Sequence, residues 1–339
     1  MGFSDFIRDR TSNIGVTTKK IIAIGVGGGG CNTISYLADA KIDGLKLMTI
    51  DKDKQNLSQI QSGIQLCLGS SLTKGDGAKM KMFVDKESVM ENYYEIKNIL
   101  NIYDGIIIVT GLGGSTGSEI SPIIAKIAKE VGALTISIAS IPFMFEGQEC
   151  LKIAEDALLK LKAESDSTIV IHNDKLLSAI DKSLGLKECF KIVDNFLAQD
   201  IQELLSLLNP AEHNEFNLDY EDLKLVLTKK GTALIGVGEY KGEEAAIEAI
   251  KIGMASLLFN QKAIDTAMSV IVNFNTRPYY PVVMIANALN LIDEMASDDA
   301  DVIFGVLTDK NLPEDYVKIT IVVAGFEEEE EGNFTISPS

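Results

Sequence analysis

Two stretches govern what this chain can fold into: KKIIAIGVGGGGCN, residues 19–32, and DGIIIVTGLGGSTGSE, residues 104–119. Each is an apolar, β-branched run that breaks into glycines and leaves in residues of helical spacing, TISYLADA in the first case and ISPIIAKIAKEVG in the second. A buried strand feeding a glycine turn and then a helix is the repeating half of a parallel sheet with crossover helices. Glycine lets the backbone bend at positive φ and approach a ligand closely, while the next helix aims its unpaired N–H groups at whatever lies there. Anions suit such a place. One such turn also serves dinucleotides or merely packs helix on sheet. Two in one sheet, the second adding the hydroxyls of Ser115, Thr116 and Ser118, suit a polyphosphate gripped from both sides.

The pattern continues along the chain. KLMTIDKD, ALTISIASI and STIVIHN read as further buried strands, and KECFKIVDNFLAQDIQELLSLL keeps a period near 3.6 until Pro210 in NPAEHNEFN ends it. Beyond that break, TALIGVGEY, MSVIVNFN, DVIFGVLTD and VKITIVVAGF predict the strands of a smaller mixed sheet.

Composition narrows the partners. A chain of 339 residues that is 46% hydrophobic can bury one large core or two medium ones. Its net charge of −18 argues against nucleic acid, whose phosphates are usually met by clustered Lys and Arg. No apolar run approaches the ~20 residues that span a bilayer, and the first residues do not read as a signal peptide, so a cytoplasmic protein without direct membrane insertion is expected. Cys31, Cys67, Cys150 and Cys189 form no CxxC pair, and His172 and His213 are the only histidines, which leaves little material for a protein-built metal centre or a Ser-His-Asp triad. GxxxxGK[ST] is absent, so backbone amides must hold any phosphate. GVGGGGCN also fits GxGxxG loosely, and the DKD of Asp51 and Asp53 offers a ribose-binding carboxylate, which keeps a dinucleotide-dependent oxidoreductase open.

Taken together, the motifs resemble the FtsZ and tubulin family. IGVGGGGCN is similar to that family's IGVGGGGGN, SSLTKGDGA to its TxGLGAG turn, GGSTGSE to GGGTGTG, PFMFEG to PFxFEG, HNDKLL to NDKLL, and NLDYED to NxDFxD, in family order between residues 19 and 326. The resemblance implies an α/β fold: a parallel-sheet, Rossmann-like GTP-binding domain over residues 19–186, a long central helix over 187–209, and a smaller α+β C-terminal domain with a mixed sheet over 210–326. A flexible extension over 1–18 and an acidic, solvated tail over 327–339 flank them. It further implies binding of GTP and GDP with Mg2+, GTP hydrolysis, and head-to-tail polymerisation into filaments for cell division at a cytoplasmic division site. Other FtsZ-type subunits and division proteins would be the further partners.

Carried over residue by residue, the resemblance puts nucleotide contacts at Gly28, Gly29, Gly30, Asn32, Gly114, Thr116, Gly117, Ser118, Glu119, Glu146, Cys150, Asn173, Phe190, Asp194 and Asn195, with no dedicated metal ligand. Asn217, Asp219 and Asp222 fall on the activating loop, which completes the catalytic site of the next subunit. On residue chemistry alone, Asp219 and Asp222 equally suit the start of a helix, whose dipole favours carboxylates. The departures fall in the nucleotide site. Cys150 stands where the family has arginine, Ser115 replaces a loop glycine, Glu119 brings a carboxylate toward polyphosphate, and Asp194-Asn195 reverses the family's guanine-reading Asn-Asp pair. They imply reduced activity, and they keep open a divergent paralogue that co-assembles as a scaffold with weak or no GTPase activity.

Overall fold

The computed structural model describes residues 19–40, 42, 44–58, 60, 63–68, 89–90, 92–178, 184–208, 214–216, 218–229, 231–256, 263–297 and 299–326. The SSLTKGDGA turn, Asn217, His213, the extension 1–18 and the tail 327–339 lie outside them.

The chain opens with β1 (Ile21–Val26), α1 (Gly27–Ala40), β2 (Leu45–Asp51), α2 (Lys54–Ser58), β3 (Ile64–Cys67), α3 (Tyr93–Leu100), β4 (Gly105–Gly111) and α4 (Ser115–Glu130). It continues with β5 (Leu134–Ile141), a 3₁₀ turn (Met144–Glu146), α5 (Gln148–Glu164), β6 (Ser167–His172), α6 (Asn173–Ser178) and the long α7 (Leu186–Leu208). Then come β7 (Asn214–Phe216), α8 (Tyr220–Leu227), β8 (Thr232–Lys241), α9 (Ala245–Ser256), β9 (Ser269–Thr276), α10 (Val282–Met295), β10 (Asp301–Thr308) and β11 (Tyr316–Phe326).

These strands form one sheet in the order β3-β2-β1-β4-β5-β6-β8-β11-β9-β10-β7. From β3 to β6 every pairing is parallel. That explains the unbroken apolar runs: in β4, Ile107 and Val109 point into a core shared with α1 and α7, whereas Ile106 and Ile108 point into a second core with α3, α4 and α5. The C-terminal strands pair mainly antiparallel, with β11 between β8 and β9 and only β9–β10 parallel, and they cover α9 and α10 with a third core. The mixed C-terminal sheet is therefore as expected, but it is continuous with the first through a short parallel bridge, Thr168 and Ile169 of β6 against Thr232 and Ala233 of β8.

Central helix α7 buries Val193, Leu197, Ile201 and Leu204, a 4-4-3 spacing that makes one apolar stripe. Each such side chain contributes about 1.5–3 kcal/mol by leaving water. Its polar side also reaches the C-terminal sheet: Glu203 accepts from Lys318 Nζ at 2.6 Å and from Thr320 Oγ1 at 2.7 Å, both on β11. One turn earlier Asp200 is buried, and burial, reinforced by the charge of Glu203, holds its carboxyl well above the usual carboxylate range. The folded protein thus keeps a proton that the unfolded chain releases, so stability falls as pH rises from the ordinary carboxylate range toward the raised value. Asp200→Asn, which is uncharged at any pH, should be more stable than the parent at pH 8, with the gain shrinking toward pH 4. Urea unfolding at both pH values checks this, and a gain independent of pH would contradict it.

Candidate functional site

Strand order reverses between β1 and β4: the chain runs outward through β2 and β3 on one side and through β5 and β6 on the other. Such a switch point leaves a crevice at the carboxyl ends of the two central strands. Both glycine turns lie there.

The turns are built by backbone contact. A Cβ on Gly30 would lie 2.1 Å from the Val109 carbonyl oxygen, one on Gly25 2.4 Å from that of Gly30, and one on Gly117 2.3 Å from that of Gly111. Gly27, with φ of +72°, abuts Gly117 N, and Thr110 Oγ1 donates to Val26 O at 3.3 Å, so each turn braces the other. Helix α1 begins at Gly27, inside the glycine run rather than after it. A Cβ on Gly28 or Gly114 meets nothing within 4 Å. Those two glycines face open space at the N-termini of α1 and α4, where backbone N–H groups and helix dipoles attract an anion.

The remaining candidates lie at varying distance from this mouth. Gly29 and Asn32 are exposed on the first turns of α1, and Thr116 is half-buried at the start of α4. Ser118 is buried, and its Oγ accepts the Gly113 N–H at 2.8 Å, so here it closes the turn. Glu119 is half-buried on α4, and half-buried Cys150 starts α5 with its carbonyl behind Gly113. Glu146 is exposed, but one carboxylate oxygen accepts the Phe143 N–H at 2.8 Å and steadies the 3₁₀ turn. Asn173, the first residue of α6 directly after β6, is 4% exposed and its Oδ1 has no partner among the described residues. A buried amide oxygen left this way costs about 1–3 kcal/mol unless something donates to it.

Phe190 is 38% exposed, packing its edge against buried Phe143 at 5.2 Å while Phe145 stacks on Phe143 at 4.9 Å. It is a partly exposed residue rather than a core one. Of the reversed pair, Asn195 is exposed and Asp194 is buried with Asn32 hydrogen-bonded to it. Burial pushes the Asp194 carboxyl up to about 7, with the bond from Asn32 opposing the rise.

Asp219 and Asp222 sit elsewhere. They form a reciprocal capping box on α8: Asp219 Oδ1 accepts the Asp222 N–H at 2.8 Å, and Asp222 Oδ2 accepts the Asp219 N–H at 3.1 Å. The neighbouring Tyr220 hydroxyl donates to the Asp104 carbonyl at 2.6 Å, and Asp104 immediately precedes β4. The glycine turn leaves β4 at its other end, about 20 Å away at 3.3 Å per residue. The acidic pair and the glycine turns therefore occupy opposite ends of one sheet.

The DKD carboxylates, open as ribose ligands in a dinucleotide reading, are committed locally. Asp51 Oδ1 accepts the backbone N–H of Lys52 and Asp53, and Asp53 Oδ1 accepts that of Gln55. Between them Lys52, overlooked in the sequence, reaches Ser115 Oγ. The one available signal was a lysine at the end of a buried strand beside a glycine turn. Among the described residues no group of three or more His, Cys, Asp or Glu converges to hold a metal, and no helix is long and apolar enough to cross a membrane.

Comparison with known proteins decides the ancestry. Residues 20–181 match the Tubulin/FtsZ family, GTPase domain, and residues 231–327 match the FtsZ family, C-terminal domain. Cell division protein FtsZ of Helicobacter pylori is 38% identical over 309 residues, 91% of this chain and 80% of that protein. The chain belongs to the Tubulin/FtsZ family. Cell division protein FtsZ of Aquifex aeolicus is 35% identical, over 93% of this chain and 85% of that one. An empty FtsZ dimer structure from M. jannaschii superposes with a TM-score of 0.78 at 30% identity, over 96% of this chain and 93% of that one. A GTPγS-bound protofilament of CetZ2 from Haloferax volcanii shares the fold, with a TM-score of 0.73 at 17% identity over 92% and 94% of the two chains.

The FtsZ-type crevice separates structural from open glycines, which gives a direct test. Gly28→Ala and Gly114→Ala should leave the melting temperature nearly unchanged, whereas Gly30→Ala, forced onto the Val109 carbonyl, should cost about 3 kcal/mol or more. Thermal denaturation of the three variants checks the sorting. Equal losses would mean that the turn is packed differently.

Proposed function

We propose that this protein binds GTP in the β1–β4 crevice, hydrolyses it at the junction between successive subunits, and polymerises head to tail into filaments that serve cell division at the cytoplasmic division site. One observation carries the reading: the anion-attracting turns and the acidic start of α8 are at opposite ends of β4, too far apart to meet within one subunit. Head-to-tail stacking brings one end of a subunit against the other end of its neighbour, and a contact of that kind that does not close produces a filament.

The residues present fit a guanine nucleotide with magnesium. The open Cβ directions at Gly28 and Gly114 and the unpartnered Asn173 Oδ1 are features that a bound molecule would fill. When bound, the magnesium nucleotide supplies the phosphoanhydride that is cleaved and screens its charge. Residues 19–186 do the holding: backbone N–H groups of both turns take the phosphates, Asn173 Oδ1 accepts from a ribose hydroxyl, and Phe190 stacks on the base. Residues 210–326 carry the activating loop, in which Asp219 keeps the cap and Asp222 orients the attacking water for the next subunit. Asn217 belongs to the same loop. A nucleotide-free scaffold is not favoured, because the open crevice and buried unpaired amide have no use in it.

Phosphate release per subunit should therefore rise with protein concentration, and a flat rate across a wide dilution series would defeat the shared site. Asp222→Asn should bind GTP like the parent and keep the cap through its amide oxygen, yet lose at least tenfold in turnover and form longer-lived polymers. Titration calorimetry and a phosphate-release assay separate these effects.

Asp194 gives a second measurement. Only its ionised form accepts both N–H donors of guanine, and with the carboxyl held near 7 that form must be made by losing a proton at lower pH. GTP affinity should rise between pH 6 and pH 8, by up to about tenfold per unit below that value, while ATP affinity stays flat. Asp194→Asn should abolish the trend, and a slope surviving in that variant would remove Asp194 from base reading.

A further inference from the structure

The head-to-tail reading, on which this inference rests, asks a strongly acidic loop to keep its shape against a polyphosphate. Asp219, Glu221 and Asp222 put three carboxylates on four consecutive residues. Like charges so close repel one another, and approaching phosphate oxygens add to the repulsion. The capping box fixes the backbone of the turn but not its seat on the protein. Tyr220 makes that seat.

Tyr220 lies between Asp219 and Glu221, and its ring is buried at the amino end of β4. A Cβ on Gly105, the first residue of β4, would lie 3.9 Å from the ring's Cε2 and 3.6 Å from Ile21 of β1, so the ring rests where these two paired strands begin. Its hydroxyl donates to the Asp104 carbonyl at 2.6 Å, an oxygen that also accepts the N–H of Leu134, the first residue of β5, at 2.9 Å. Asp104 in turn holds β1: its Oδ2 accepts the Lys20 N–H at 2.9 Å, and its own N–H donates to the Lys20 carbonyl at 2.8 Å. One side chain thus ties the loop to the starts of three strands. A cation completes the seat, with Lys19 Nζ 4.6 Å from the centre of the Tyr220 ring and 3.6 Å from Glu221 Oε1. An ammonium over an aromatic face and beside a carboxylate is attracted to both, and here it offsets charge that Asp219 and Asp222 would otherwise feel from Glu221. In the family's NxDFxD the position of Tyr220 is phenylalanine, so the hydroxyl is this chain's own, as is Glu221 at a position the motif leaves open.

We propose that Tyr220 is a positioning residue for hydrolysis in the next subunit: its hydroxyl bond, with Lys19 laid over the ring, holds the acidic loop in the orientation that presents Asp222 to the neighbour's nucleotide. Tyr220 acts through Asp222 and touches no reacting atom. Because the loop serves another subunit's crevice, loss of the hydroxyl leaves the subunit's own grip on GTP intact and slows turnover across the junction.

Tyr220→Phe keeps the ring and removes the bond. Titration calorimetry should find its GTP affinity equal to the parent's, whereas turnover at saturating GTP should fall about two- to tenfold, the size of one hydrogen bond expressed as a rate. Lys19→Met should slow turnover by about two- to threefold at low salt and match the parent at high salt, since Glu221 is largely exposed and the pair is screened. The deciding measurement is complementation. Gly114→Asp sets a carboxylate in the phosphate mouth, where a Cβ meets nothing within 4 Å, and leaves the acidic loop intact. Added to Tyr220→Phe, this inactive variant should raise phosphate release per Tyr220→Phe subunit toward the parent's, because a sound loop then meets a sound crevice. Asp222→Asn mixed with Gly114→Asp in the same way is the control. Rescue of Asp222→Asn alone, a Tyr220→Phe variant that turns over like the parent, or a loss of GTP affinity as large as the loss of turnover would overturn the role of Tyr220 and keep the head-to-tail reading. Rescue of neither variant would overturn both.

Discussion

The contact on which everything else depends is the backbone-to-backbone packing of the two glycine turns at the ends of β1 and β4. With Gly30 seated against the Val109 carbonyl and Gly27 against the Gly117 backbone nitrogen, neither turn can hold its shape without the other. The same closeness brings the N-termini of α1 and α4 side by side, so one steric requirement produces both the fold's switch point and its anion site. Side chains at these positions would push the helices apart and dissolve the crevice. Glycine is required here mainly for space, since of residues 27–30 only Gly27 takes a positive φ.

Much of this was legible in the sequence, and the exceptions share a cause. The central strands announce themselves because burial on both faces demands unbroken apolar runs such as IIIV of β4, and α7 because a 23-residue helix between two layers must keep its stripe. Strand β3, four residues at a half-exposed edge, and β7, three residues, have no room to show a period. Nothing local in Thr168 or Thr232 tells that β6 and β8 pair and merge two sheets into one. Side-chain roles failed in the same way. Asp194 and Asn195 differ by one helical step, and only the packing of α7 on α1 decides which of them faces Asn32. Lys52 meets Ser115, 63 residues further on, only in the fold.

The capping box on α8 shows that a structural and a functional reading of the same carboxylates need not compete. Asp219 and Asp222 hold each other's backbone N–H groups, which fixes the start of α8 without help from the rest of the protein. A loop that must present a carboxylate to a neighbouring subunit gains from being rigid before contact, because less freedom is then lost when the interface forms. Tyr220, bonded to the Asp104 carbonyl, anchors that loop on β4 itself. Two ends of an assembling unit are thus joined by a single buried strand.

This division of labour accounts for how so many departures fit within one family fold. Where phosphates are met by backbone N–H groups and helix dipoles, side chains adjust charge and selectivity but do not create the site. Ser118 can close a turn and Cys150 can stand in place of arginine, provided that the glycine contacts persist. The end proposed to read the base is built otherwise, from Phe190, Asn32 and Asp194 on two packed helices, and there each identity would matter. An Asp held near neutrality by burial makes that end responsive to pH in a way the backbone-built end is not. Divergence in this chain should thus be read as movement of charge around a fixed backbone cradle, with its chemical consequences concentrated where side chains alone do the reading.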